Sequence, residues 1–170
     1  MLLSESLREG SNPSPTAMKN RIYLDDVRNP VDPTWIIARD YTQFVATVNI
    51  LGLEHIEVIS LDHDLGDTAM SEYYSNVRPN YTLDYDQIIE KTGYDVCKYL
   101  VEKSISTGIS LPKIYVHSAN PIGAANMMGY INNYYKNCKQ EESCVRVQIP
   151  HTIDESKMMT EEERHLRWKK

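Results

Sequence analysis

Apolar residues along the chain fall into two patterns. Short continuous runs, Ile22-Tyr23-Leu24, Trp35-Ile-Ile-Ala38, Ile56-Glu-Val-Ile-Ser-Leu61, Lys113-Ile-Tyr-Val116 and Val145-Arg-Val-Gln-Ile149, have the length and β-branched or aromatic content of buried strands. Between them the spacing turns helical. Phe44, Val45, Val48 and Leu51 share one face over 41–51, with Gly52 as the stop, and Val96, Cys97, Leu100, Val101 and Ile105 share one over 93–105. A third helix is expected over about 122–136. Pro30 and Pro33 exclude a helix between the first two runs, and Pro150 ends the last. Strands separated by helices imply an α/β fold whose parallel sheet is covered on both faces. Ligands of such sheets collect at the carboxyl ends of the strands.

The flanks differ from this core. Residues 1–18 are too polar to offset the entropy of ordering and are expected to be a flexible leader, with an internal start at Met18 conceivable. The folded domain is expected over 19–150. Within it, 67–91 is a polar insert rich in Tyr, Asn and Asp, longer than an ordinary connection, and therefore expected to be a lid, a binding loop or a disordered segment. The tail, 151–170, is charged. Thr160 followed by Glu161, Glu162 and Glu163 has capping-box form, so a short helix is expected over 160–169.

Composition narrows the class. With 170 residues, 41% hydrophobic and 25% charged, the chain is an ordinary globular domain. It has no apolar run approaching the ~20 residues that cross a bilayer, and its start lacks the basic and apolar regions of a signal peptide. A net charge of −6 argues against holding duplex DNA through bulk electrostatics. Three cysteines without a CxxC suit a reducing compartment, so a cytoplasmic protein is expected.

The chemistry lies at three strand ends: Asp25-Asp26, Asp62-His63-Asp64 and His117-Ser118-Ala119-Asn120. Carboxylates so close repel one another unless a cation neutralises them, and an oxygen-only donor set suits Mg²⁺ or Mn²⁺. His63 and His117 are placed to serve as acid and base on the solvent-facing rim. Ser118 and Asn120 either contact phosphate or cap the helix that Pro121 opens. Arg28 either neutralises phosphate or forms a surface salt bridge. An EF-hand is excluded because the twelfth position of a loop beginning at Asp62 is Tyr73, and there is no P-loop, GxGxxG or GxSxG.

The strings Leu24-Asp-Asp-Val-Arg-Asn-Pro30, Ser60-Leu-Asp-His-Asp-Leu-Gly66, Thr92-Gly-Tyr-Asp-Val96 and His117-Ser-Ala-Asn-Pro-Ile-Gly123, followed by Asn126-Met127, resemble the cyclic-phosphate-processing receiver-like family, a divergent branch of the two-component receiver fold. The resemblance implies a receiver-like (flavodoxin-like) three-layer sandwich with a five-stranded parallel sheet in the order 2-1-3-4-5. It also implies a metal-assisted phosphoesterase acting on cyclic phosphates of nucleotides or RNA ends. In that reading Asp25, Asp26 and Asp62 hold the metal, Asp64 assists or orients His63, and His63 and His117 exchange protons. Ser118, Asn120 and Arg28 then face the phosphate of a cyclic nucleotide or a cyclic-phosphate-ended RNA. A rival reading is a non-catalytic pseudo-receiver that sequesters a cyclic nucleotide or docks on a partner protein, with Tyr73, Tyr74, Tyr81 and Tyr85 available to stack a base.

Two departures stand out. Only about eight residues separate Asp26 from Trp35, short for a parallel crossover, so the second strand is expected to be displaced or poorly formed. Gln148 stands where a receiver carries the Lys that holds its phosphoryl group, which leaves a phosphoaspartate at Asp62 without its cation partner.

Overall fold

A computed structural model describes residues 19–157. The leader 1–18 and the helix expected at 160–169 lie outside them. Strands β1 (Asn20–Leu24), β3 (Trp35–Ala38), β4 (Ile56–Leu61), β5 (Lys113–Val116) and β6 (Val145–Arg146) form one parallel sheet in the order β3-β1-β4-β5-β6. Counted within this sheet alone, the order is 2-1-3-4-5. Strands β2 (Arg28–Pro30) and β7 (His151–Ile153) form a separate antiparallel ribbon.

The second sheet strand is neither displaced nor ragged, contrary to expectation. It pairs in register with β1 from Arg21↔Trp35 to Leu24↔Ala38. The short crossover succeeds because it contains no helix. Its chain runs through β2, whose partner is β7, and the Arg39 guanidinium clamps it from beneath. Arg39 Nη1 donates to the carbonyls of Asp25 (3.0 Å) and Arg28 (2.8 Å), and its other nitrogen to the Asn29 side chain. The last sheet strand is shorter than the expected 145–149. Only Val145 and Arg146 pair, and beyond the bond from Val147 N to Val116 O (2.9 Å) the chain leaves for the ribbon.

Helices α1 (Tyr41–Leu51), α4 (Gly93–Thr107) and α5 (Pro121–Asn137) connect the remaining strands. Asp40 caps α1 by accepting from Gln43 N (2.8 Å), Asp95 accepts from Thr92 N (2.9 Å) at the start of α4, and Asn120 caps α5 through Gly123 N (2.9 Å). Their crossovers all step the same way across the sheet, so right-handedness puts all three helices on one face. There Ile22, Leu24, Ile59, Leu61, Ile114 and Val116 pack against Phe44, Val48, Val96, Leu100, Met127 and Ile131. The period of two turns Tyr23, Ser60 and Tyr115 to the other face. Among the described residues no helix covers it. Extended chain including residues 147–150 lies there, lining an open pocket of about 410 Å³ with Trp35 and Tyr115.

The polar insert orders itself. It forms α2 (Asp67–Glu72), a π-helical turn (Tyr73–Val77), α3 (Arg78–Asn80) and a 3-10 turn (Tyr85–Gln87). The buried Glu72 carboxylate accepts from Asn76 Nδ2 (2.7 Å) and Asp84 N (2.9 Å), while Glu90 takes Ala69 N (2.8 Å) and the Thr68 hydroxyl. Carboxylates thus supply the acceptors that a short apolar sequence lacks.

One glycine fixes how closely α4 approaches β4. Gly93 N donates to the His63 carbonyl (2.9 Å), and a Cβ on Gly93 would lie 2.0 Å from the Asp62 carbonyl oxygen. Backbone cannot yield as a side-chain tip can. Gly93→Ala is therefore expected to lower stability by about 1–3 kcal/mol or more, read as a reduced urea midpoint. An unchanged midpoint would show that α4 can shift away from the strand end at no cost.

Candidate metal and phosphate site

Strands β1 and β4 end side by side at Leu24↔Leu61, and Asp62 N continues the ladder to Leu24 O (2.9 Å). Asp25 and Asp62 therefore leave the sheet as neighbours. Ligand oxygens of Asp25, Asp26 and Asp62 all lie within 4.8 Å of one another, as the double acid and the acid after β4 led us to expect. Asp25 is fully buried. One oxygen accepts from Val27 N (2.9 Å) and Arg28 N (2.6 Å), the other from Arg28 Nε (2.6 Å) and His117 Nε2 (3.1 Å). Asp62 accepts from His63 N (2.8 Å) and Arg28 Nη2 (2.8 Å). Arg28 Nη1 donates to the His117 carbonyl (3.2 Å). The guanidinium is thus wedged between two carboxylates and is no surface salt bridge. Asp26 is half-buried at the edge.

Crowding shows in the acidities. Burial pushes Asp25 up, but the His117 bond, the Arg28 charge and two backbone donors outweigh it and hold the carboxyl below the usual range. Asp62 is raised by burial and by the charge of Asp25. Asp26 is raised to about 7 by burial, Asp62 and Asp25. Burial works against the Arg28 charge, yet Asp62 and Asp25 keep its pKa above the ordinary value. Fully ionised, the three carboxylates beside one guanidinium would leave two negative charges, which match a divalent ion. The buried Tyr23 hydroxyl has no hydrogen-bond partner and feels the charges of Asp25, Arg28 and Asp62, so a polar ligand here would satisfy it. With oxygen donors only, the cluster fits a hard divalent cation.

The histidines are not on a solvent-facing rim. His117 is 3% exposed, and its ring stacks on Tyr23 with centroids 4.3 Å apart. Its Nε2 faces the Asp25 carboxylate and therefore carries the proton, while Nδ1 accepts from the Ser60 hydroxyl (2.7 Å). Both nitrogens are thus spent, Nε2 on Asp25 and Nδ1 on Ser60, on the helix-free face. His63 is 0% exposed, on the helical side. Its Nδ1 meets Asp64 Oδ1 (2.7 Å) and its Nε2 the Tyr85 hydroxyl (3.1 Å), which also accepts from Asn126 Nδ2 (3.2 Å). The physical reason for both burials is strand alternation. Successive residues after β4 and β5 turn to opposite faces, and α5 with the insert closes one while Tyr23 and Ser60 occupy the other.

Asp64 orients His63. Asn120 spends its oxygen on Gly123 N and its amide on Asp64 (3.2 Å), so it is a cap, and the buried Ser118 hydroxyl accepts from Asn120 N (3.2 Å). The Asn120 amide is thus spent on Asp64, away from the Asp25, Asp26 and Asp62 cluster. Gly123 is required by His63 itself, since a Cβ would lie 2.3 Å from the imidazole. Sequence reasoning missed Ser60, Arg39 and Tyr23 as supports. The signal for Ser60 was present, a lone hydroxyl two positions before Asp62 in a strand that, Glu57 apart, is otherwise apolar.

A family model described as the cyclic-phosphate processing receiver domain matches residues 20–133, more than half of the chain. The chain belongs to that family. No curated protein and no solved structure matches it. In this cyclic-phosphate processing receiver the matched span contains every candidate site residue. Gln148 lies outside it, lining the pocket with Trp35 and Tyr115, and the cation that touches the acids is Arg28. No helix among the described residues is long and apolar enough to cross a membrane.

The raised Asp26 gives a signed pH effect. A carboxyl that binds its proton more tightly when folded stabilises the protein below about pH 4, and that contribution is lost as pH rises through about 7. Without divalent ions, Asp26→Asn should therefore melt with the natural protein at pH 4. At pH 8 it should melt a few degrees higher, about 1 kcal/mol after discounting for solvent at this half-buried group. Parallel melting curves from pH 4 to 8 would show that Asp26 is not crowded.

Proposed function

We propose that the protein is a metal-assisted phosphoesterase that opens or removes a cyclic phosphate on a nucleotide or an RNA end. The observation that carries this is the convergence of Asp25, Asp26 and Asp62 beside Arg28, which pairs with Asp25 and Asp62, in a family named for cyclic-phosphate processing. Asp26 and Asp62, with Asp25 completing the set, would hold Mg²⁺ or Mn²⁺, and such an ion supplies charge that offsets the phosphate oxygens. Arg28 adds a planar, permanently charged donor set suited to phosphate. His117 positions Asp25. His63, held by Asp64, meets the Tyr85 hydroxyl through Nε2, and this pair would be the base that draws a proton from the attacking water. Free cysteines at 97, 138 and 144 agree with a cytoplasmic setting.

One observation favours a second reading. Both histidines are sealed and hydrogen-bonded within the protein, as in a site that binds a cyclic nucleotide without turning it over.

The test is incubation with Mg²⁺ and a panel of 2′,3′-cyclic nucleotides, 3′,5′-cyclic nucleotides and cyclic-phosphate-ended RNA, with products followed by ³¹P NMR. Turnover is expected on at least one. His63→Ala should reduce it by roughly 10²- to 10⁴-fold, and Asp62→Asn should lose activity that high Mg²⁺ partly restores. Saturable binding with no product in any reaction would replace the enzyme with the binding module.

A further inference from the structure

Arg28 occupies the place where phosphate chemistry and metal chemistry compete. Its side chain is 16% exposed, and three of its nitrogens are committed: Nε to Asp25 (2.6 Å), Nη2 to Asp62 (2.8 Å) and Nη1 to the His117 carbonyl (3.2 Å). A carboxylate offers about four acceptor positions. Those of Asp25 are all taken, by Val27 N, Arg28 N, Arg28 Nε and His117 Nε2. A divalent cation entering the cluster meets oxygens already bonded to a positive group, and two cations on the same carboxylates repel.

We infer that Arg28 is an internal counter-ion that holds the metal site closed until a phosphate takes over its guanidinium. This rests on the reading of the site as one that receives a phosphate ester. A phosphate presents two oxygens to the guanidinium fork in the way a carboxylate does, so the charge stays paired when the arginine changes partner. The transfer frees the oxygens of Asp25 and Asp62 that Arg28 had covered.

The carboxylates do not depend on Arg28 to stay in place. Asp25 keeps His117 Nε2 and the backbone donors of Val27 and Arg28, and Asp62 keeps His63 N. Exchange of the guanidinium therefore opens the site without dispersing it. Because coupling between two ligands is reciprocal, phosphate raises metal affinity and metal raises phosphate affinity by the same factor. An isolated metal ion binds weakly, and the ion and the phosphate arrive as a pair.

The experiment measures Mn²⁺ affinity of the full chain by titration calorimetry, with and without inorganic phosphate, for the natural protein and Arg28→Gln. Phosphate is expected to raise Mn²⁺ affinity about tenfold or more in the natural protein. Arg28→Gln is expected to bind Mn²⁺ roughly tenfold more tightly without phosphate and to gain little when phosphate is added. Equal Mn²⁺ affinities in the two proteins would overturn the inference. So would an equal phosphate enhancement in both, which makes Arg28 a fixed charge. Should Arg28→Gln fail to fold, the ¹⁵Nε resonance of Arg28 in the natural protein decides: it should shift when Mg²⁺ and phosphate are added together, and an unmoved resonance overturns the exchange. Turnover is not read in any arm. A protein that hydrolyses cyclic phosphates without exchange loses this inference alone, and one that shows exchange without hydrolysis loses the reaction alone.

Discussion

Two neighbouring parallel strands cannot end in carboxylates without confronting their repulsion, and in this protein one guanidinium resolves it. Arg28 lies three residues beyond Asp25, yet it reaches Asp62 on the adjacent strand as well. Much of the local architecture serves that position. Arg39 clamps the carbonyls of the connecting segment, and the β2–β7 ribbon fixes where Arg28 leaves it. His117 presses on Asp25 from beneath, itself held between Ser60 and the Tyr23 ring. Without a counter-charge the buried Asp25 would have to take up a proton, since an unpaired buried carboxylate is too costly to keep ionised.

The loop after β4 distributes chemistry to two sides of the sheet. Asp62 turns to the charged cluster on the helix-free face, and His63 turns into a hydrogen-bonded network with Asp64, Tyr85 and, on α5, Asn126. The hydrogen bond from His63 N to the Asp62 carboxylate joins them. The glycines of the recognisable strings follow from this crowding. Gly93 leaves room for the Asp62 carbonyl and Gly123 for the His63 ring, so the motifs record close packing around the site as much as contact with a ligand.

Much of this was legible from residues alone. The five strand runs, the three long helices and the order of the sheet follow from apolar periodicity joined to a family resemblance, and the three acids were placed together because each terminates an apolar run. Burial of the histidines was not legible. Nothing in the spacing of His63 or His117 tells that Tyr85, twenty-two residues away in an insert read as a polar loop, would cap one ring, or that Tyr23 would stack on the other. The in-register second strand was missed for a related reason. Its support comes from Arg39 and from β7, and long-range polar contacts leave no periodic trace in sequence.

The ribbon gives the site a direction in time. Asp25 directly follows β1 and Arg28 opens β2, whereas the strand that pairs with Arg28 is His151–Ile153. A chain emerging from the ribosome can lay down β1, β3, β4 and β5 and collect its acids at their ends well before residues 151–153 exist. Throughout that interval the carboxylates lack the anchored strand that steers Arg28 among them. Synthesis of the charged site thus finishes with nearly the last described segment, and a chain halted earlier carries its acids without a settled counter-charge.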